Sequence, residues 1–267
     1  MPGFSAGEKL NETDWNAKAY DGLSDPMFEW GMAVLATLEL TGSERVLDAG
    51  CGSGRLTEEL LKRLPNGELV GLDFSPKMLE QARRRLERFG PRIEFVHASL
   101  REFELASKVD GIFSNAVFHW VPDHAAMFRT LHRALKSGGW LVAQFGGAGN
   151  LARTYRRAHE IADLAEFREY LDGVEDGPHF EDAASTRERM EAAGFSVSEA
   201  RLHTEVPSFE RRDRYEAFLE TVVMRQLVSR LPDMLLRKFL AEVSRRTWDE
   251  EGAYSLDYVR LTVRAIA

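Results

Sequence analysis

Three glycines at alternate positions, Gly50, Gly52 and Gly54, follow an aspartate, Asp48, in the run VLDAGCGSG. Glycine accepts positive φ and carries no Cβ, so a ligand can approach the backbone of such a turn closely. Leu56, Leu60, Leu61 and Leu64 then recur at helical spacing. The turn therefore opens a helix, whose unpaired N–H groups and partial positive charge point at whatever sits there. Spacing selects among cofactors. A dinucleotide fingerprint counted from Gly50 needs a small residue where Arg55 stands, and a phosphate loop needs Lys-Ser/Thr where Arg55 and Leu56 stand. What is left is D-x-G-x-G-x-G, with a second carboxylate, Asp73, at the tip of the next apolar run, LVGLDF. A carboxylate there suits hydrogen bonds from two ribose hydroxyls.

Two later segments also fall at strand ends: HASL at 97–100 and SNAVFHW at 114–120. Ligands in open α/β sheets bind outside the carboxyl ends of the strands, so Asn115 faces the ligand, and His119 and Trp120 follow close to it. His119 can be a substrate contact or a general base, with an unperturbed pKa of ~6.5. The alternative is a histidine packed at a strand end and bonded to backbone. Cys51 sits inside the glycine turn, where a small, partly buried residue suffices, and a nucleophile is not expected. His119 and His124 are separated by a proline with no cysteine nearby, so no metal site is expected.

These residues resemble the class I S-adenosylmethionine-dependent methyltransferases. The pattern SNAVFHWVPD…LKSGG is most similar to the trans-aconitate and malonyl-carrier-protein methyltransferase group, which make methyl esters. The resemblance implies S-adenosylmethionine as cofactor, held by Asp48, Gly50, Cys51 and Gly52 at the turn and by Asp73 with Phe74 at the second strand tip. It places Asn115 by the methionine part of the cofactor. Ser99 stands where related enzymes often carry an aspartate for the adenine amino group; serine lacks that charge, although the Leu100 N–H can still bond an adenine ring nitrogen. Tyr20 and Trp15 fall in a segment that often folds over the cofactor in similar enzymes, and Tyr20 is the one expected to touch it. The implied activity is methyl transfer to a small-molecule acceptor, foremost to a carboxyl oxygen, with His119 as the catalytic candidate. The alternative is a non-catalytic regulatory protein that binds S-adenosylmethionine or S-adenosylhomocysteine. An anionic acceptor calls for a cation in the cap; Arg153, Arg156 and Arg157 lie just past the fifth strand, where they can instead pair on the surface with Glu160 and Asp163.

The elements that must position these groups alternate. Strands are expected at VLDA, ELVGLDF, IEFVH, VDGIFSN and WLVAQF, with helices between them, which implies βαβ units and a parallel sheet. LARTYRRAHEIADLAEFREYL reads as one amphipathic helix, after GGAGN as a flexible exit from the fifth strand. GFSVSEARLHTEV is a sixth strand, and YVRLTVRAIA a last one after two more helices. The expected fold is a doubly wound, Rossmann-like, mostly parallel seven-stranded sheet with an antiparallel last strand and a helical cap. Its expected units are a lead-in over 1–40, a cofactor-binding core over 41–148, and cap helices plus last strands over 149–267.

The 267 residues carry a formal charge of −8, which argues against a nucleic-acid groove. One cysteine excludes an internal disulfide and fits a reducing compartment. The first residues lack the features of a signal peptide, and no apolar run approaches the roughly 18 residues of a membrane helix, so a soluble cytoplasmic protein is expected. Acceptor identity and oligomeric state stay open at this stage.

Overall fold

The computed structural model describes residues 25–173 and 177–267; Trp15 and Tyr20 lie outside the described residues. The first described element is helix α1 (Asp25–Leu35), which buries Met27, Val34 and Leu35. Strands β1 (Arg45–Ala49), β2 (Glu68–Asp73), β3 (Ile93–His97) and β4 (Val109–Asn115) follow, then β5 (Leu135–Gly146) and β6 (Ser196–Glu205). A short ribbon pairs β7 (Ser208–Phe209) with β8 (Tyr254–Ser255), and β9 (Tyr258–Ile266) ends the chain. The main sheet has the order β3-β2-β1-β4-β5-β9-β6. Pairing is parallel from β3 to β5, and β9 runs antiparallel to both of its neighbours. The chain reverses direction across the sheet between β1 and β4, the switch point where such sheets open a crevice for ligands.

The strands are near-continuous apolar runs because helices cover both faces. Val46, Leu47, Leu69, Val70, Ile112 and Phe113 are all fully buried. Helix α2 (Arg55–Lys62) packs Leu60 and Leu61 inward. In α3 (Pro76–Leu86) the Ser75 hydroxyl accepts the Met78 N–H at 3.3 Å, with proline in the first turn, a start legible in the sequence. Helix α4 (His124–Ala134) is capped by Asp123, which accepts the Ala126 N–H at 2.8 Å.

Two expectations need correction. The expected single helix after β5 is two, α5 (Ala152–Ala162) and α6 (Ala165–Leu171), because Leu164 is extended between them. Ala158, Ile161, Phe167 and Leu171 are buried in one cluster, but the gap from Ile161 to Phe167 is out of helical phase, and the break restores it. The fifth strand also starts earlier than expected, at Leu135, with a register shift against β4 that accommodates Ser137-Gly138-Gly139.

The cap has its own core. Helix α7 (Ala183–Ala192) leads into β6; α8 (Arg212–Phe218) then runs into a π-helical turn at Leu219–Val223, followed by α9 (Arg225–Val228) and α10 (Asp233–Glu251). Tyr215, Phe218, Phe239 and Leu240 gather there with Leu151 and Tyr258. Among the described residues no helix is long and apolar enough to cross a membrane.

One strand glycine yields a stability prediction. Gly111 in β4 pairs with Trp140 in β5, and a Cβ on Gly111 would lie 2.0 Å from the indole Cε2. Gly111→Val should cost about 2–3 kcal/mol through overpacking. The check is the urea midpoint; an unchanged midpoint would mean that the indole swings away freely.

Candidate active site

The glycine turn sits at the switch point. The N–H groups of Gly50 and Cys51 both donate to Leu72 O, at 2.8 and 2.9 Å, which bends the chain back over the tip of β2. Beneath the turn Asp48, only 2 % exposed, accepts the Thr57 hydroxyl at 2.7 Å and so ties β1 to the first turns of α2. Burial pushes the Asp48 carboxyl up to about 7 against that bond, with neighbouring Asp73 adding to the rise. Burial likewise raises the Cys51 thiol well above its usual range, with both aspartates contributing, so it is a protonated packing group rather than a nucleophile.

Asp73 is held by backbone amides. Its Oδ2 accepts the Gly52 N–H and its Oδ1 the Ser75 N–H, each at 2.8 Å. Each oxygen keeps a further lone pair for a ligand hydroxyl. Burial raises this carboxyl, opposed by the same two amides. Gly52 has a φ of +53°, and a Cβ added there would meet nothing within 4 Å, so the space over the turn is open. Phe74, the next residue, is exposed beside the His97 ring, at 6.3 Å between centroids. Ser99 accepts the Arg101 N–H at 3.3 Å, and Leu100 is buried. At the tip of β4, Asn115 donates to Met27 O at 3.1 Å, while its buried Oδ1 has no hydrogen-bond partner among the described residues. An open glycine cradle, a carboxylate with spare lone pairs and an unsatisfied amide oxygen fit a cofactor with a ribose diol and a cationic amino-acid end. Asp48, Gly50, Cys51, Gly52, Asp73 and Asn115 are thus brought to one edge, with Phe74, Ser99 and Leu100 along it.

Beyond Asn115 lies a cavity of about 450 Å³, open mouth included, with Ala116, His119, Asn150, Tyr155, Val223 and Arg260 among its walls. Ala116 and Leu151 both line it, and these are the non-glycine residues with positive φ among the described residues, at 61° and 57°. Backbone bonds hold both, Ala116 N–H to Gln144 O and Leu151 N–H to Asp257 O, each 2.8 Å. Strained backbone of this kind clusters at functional sites. The Tyr155 hydroxyl donates to Val223 O at 2.9 Å, anchoring the π-helical turn as part of the wall.

His119 is 8 % exposed, and its Nδ1 accepts the Gly146 N–H at 3.2 Å. That bond assigns the ring proton to Nε2. Burial first, then the Arg260 charge and His124, hold the imidazole well below the usual histidine range. It is a neutral donor at physiological pH. The linkage sign follows: the unfolded chain takes up this proton near pH ~6.5 and the folded one does so lower, so His119's contribution to stability is complete above ~6.5 and is lost as pH falls. Between pH 6.5 and 5.5 the wild type should therefore lose stability relative to His119→Gln, by up to about 1 kcal/mol. Parallel urea curves at the two pH values would contradict this.

The cation in the wall is Arg260, which sequence reasoning missed. It is 2 % exposed, its Nε donates to Gln144 Oε1 at 3.4 Å, and its guanidinium lies 5.1 Å from the Trp30 ring centre. Its only signal in the sequence is an arginine inside the apolar run YVRLTVRAIA. Arg153, Arg156 and Arg157 do not line this cavity. Arg153 reaches Glu251 and Asp257, and Arg156 pairs with Glu160 and Glu250. Arg157 is buried, not on the surface, and pairs with Glu250 and Glu251; none of the three takes Asp163. Among the described residues no cluster of His, Cys, Asp and Glu could hold a metal.

A Rossmann-like sheet with an inserted antiparallel strand, a glycine cradle and an acidic second-strand tip define a nucleoside-cofactor site of the methyltransferase type. A family model described as a methyltransferase domain matches residues 46–139. Trans-aconitate 2-methyltransferase of Methylobacterium nodulans is 39 % identical over 190 residues, covering 71 % of this chain and 67 % of that protein. The same-named protein of Afipia carboxidovorans is 34 % identical over 159 residues, covering 59 % of this chain and 60 % of its own. Phosphoethanolamine N-methyltransferase 2 of Haemonchus contortus, solved with S-adenosyl-L-methionine, shares the fold with a TM-score of 0.60 at 18 % identity, covering 96 % of this chain and 58 % of that one. The chain belongs to the class I S-adenosylmethionine-dependent methyltransferase family. It spans about half to two thirds of the length of the curated relatives it matches.

Proposed function

We propose that the protein methylates a carboxyl oxygen of a small-molecule acid, using S-adenosylmethionine. The observation that carries this reading is Arg260, a buried cation in the wall of the cavity that opens past Asn115. The names of the relatives, trans-aconitate 2-methyltransferases, point the same way.

The cofactor supplies an activated methyl group. Asp73, held in place by the Gly52 amide, takes its ribose side, Phe74, Ser99 and Leu100 border the base, and Asn115 meets the amino-acid end. Tyr20, outside the described residues, is assigned to the same shell. Arg260 fixes the acceptor's charge, and the apolar walls exclude water, so the reaction gains mainly from orientation. A carboxylate is already deprotonated and needs no base, which agrees with His119 as a neutral donor. The protein handles neither nucleic acid nor membrane on this reading; its one cysteine, buried, suits the cytoplasm. The division into 1–40, 41–148 and 149–267 is proposed as lead-in, cofactor core and cap.

Calorimetric titration with S-adenosylmethionine, S-adenosylhomocysteine and NAD comes first, followed by acids, phenols and amines as acceptors. Binding of the first two ligands with methyl-ester formation is expected. Amine or phenol methylation without ester formation overturns the carboxylate reading; binding without any turnover favours the regulatory alternative.

A further inference from the structure

Gly146, the last residue of β5, is where three polar cavity side chains meet beside the Phe180 ring, whose Cε1 a Cβ there would approach to 2.6 Å. Its N–H donates to His119 Nδ1 at 3.2 Å. Across the antiparallel ladder its register partner is Arg260. A Cβ at this glycine would stand 2.9 Å from Asn150 Nδ2, so the Asn150 carboxamide lies directly against it. Asn150 is 4 % exposed, and its Oδ1 accepts the Val259 N–H at 2.9 Å. That bond orients the amide: the oxygen is spent on β9, and the NH₂ faces Gly146 at the cavity wall. In both His119 and Asn150 a backbone amide therefore occupies the acceptor atom and leaves a donor. The two donors of His119 and Asn150 stand beside the positive charge of Arg260, whose Nε and Nη2 are held by Gln144, and this combination matches a carboxylate and disfavours an ammonium group. The chain does not exit β5 loosely: Gly147 N–H donates to Val259 O at 3.0 Å, and Ala148 N–H to Glu181 O at 2.9 Å.

We propose that Gly146 organises a subsite for the non-reacting carboxylate of the acceptor, in which Asn150 is the specificity-determining donor beside His119 and Arg260. The proposal rests on the carboxylate reading above. Asn150→Asp is the informative variant, since it keeps an oxygen for the Val259 N–H and replaces the donor by a charged acceptor. The probe is trans-aconitate, titrated calorimetrically into the 267-residue protein saturated with S-adenosylhomocysteine. Binding at least tenfold weaker than wild type is expected, with affinity for S-adenosylhomocysteine itself within twofold; in turnover KM rises at least tenfold while kcat changes less than threefold. His119→Gln, which keeps both an acceptor for Gly146 and a donor, should bind trans-aconitate nearly as wild type does, and His119→Ala should not. Equal trans-aconitate affinity in wild type and Asn150→Asp, or equal affinity in His119→Gln and His119→Ala, overturns the subsite. Ester formation by wild type with KM unmoved in Asn150→Asp sinks the subsite alone. Wild type that binds no acid while methylating a phenol or amine sinks the carboxylate reading and the subsite with it.

Discussion

Gly52→Val should reduce affinity for S-adenosylmethionine and S-adenosylhomocysteine more than a hundredfold while leaving the protein folded. Two effects act together. The backbone at Gly52 has a φ of +53°, a conformation that a β-branched residue adopts only under strain. The space where the side chain would go is open, so it would fill the cradle rather than clash with the protein. A ligand that needs van der Waals contact with this backbone then has to back away, losing that contact and the approach to Asp73. A hundredfold loss corresponds to about 2.7 kcal/mol. The contrast is Gly54, where a Cβ would stand 3.0 Å from Leu86 Cδ1 and 3.2 Å from Ala82 Cβ, so a valine there should lower the melting temperature. Calorimetry with S-adenosylhomocysteine alongside thermal melts separates the two cases. Binding by Gly52→Val within threefold of wild type would move the cofactor off this turn.

Arg157→Ala should be the most damaging single change to stability away from the cofactor, at about 3–5 kcal/mol. Arg157 in α5 is 1 % exposed; its Nε donates to Glu250 at 2.9 Å, and its Nη2 to Glu251, which also takes the Ser255 hydroxyl. These bonds join the start of the cap to the end of α10. Removing the cation leaves the Glu251 carboxylate, 12 % exposed, with Arg153 at 3.5 Å as its remaining ion-pair partner. The expected fall in melting temperature is on the order of 10 °C. The double variant Arg157→Met with Glu251→Leu should recover much of the loss, because a buried pair replaced by apolar groups of similar volume is often close to neutral. Loss of the same size in single and double variants would mean that the site depends on shape, not on compensated charge.

The features legible in the sequence are those carried by short spans of chain. The switch from an apolar strand run to a glycine turn to helical spacing at 46–64 is local, and so are the Ser75-Pro76 and Asp123 helix starts; packing had only to accept them. Asp73 and Asn115 were legible for the same reason, since a strand's carboxyl end can be read off its own residues. The break at Leu164 was not, because local propensity favours a continuous helix and only burial of both Ile161 and Phe167 in one cluster demands the kink. The three arginines past β5 illustrate the same limit: local spacing offered Glu160, which Arg156 takes, and Asp163, which none takes, whereas the packing of α10 on α5 supplied Glu250 and Glu251.

The sequence by itself therefore determined the class of sheet and the proposed cofactor edge, since hydrophobic period and glycine spacing act over a few residues. The proposed acceptor side was decided by tertiary structure alone. Arg260 meets Gln144 across 116 residues of chain, and Asn150 meets Val259 across 109. Both contacts exist only because β9 inserts antiparallel between β5 and β6 and so lays Arg260 opposite Gly146. An arginine in an apolar strand signals in sequence no more than a costly burial; what it is buried for depends on which strand lies beside it.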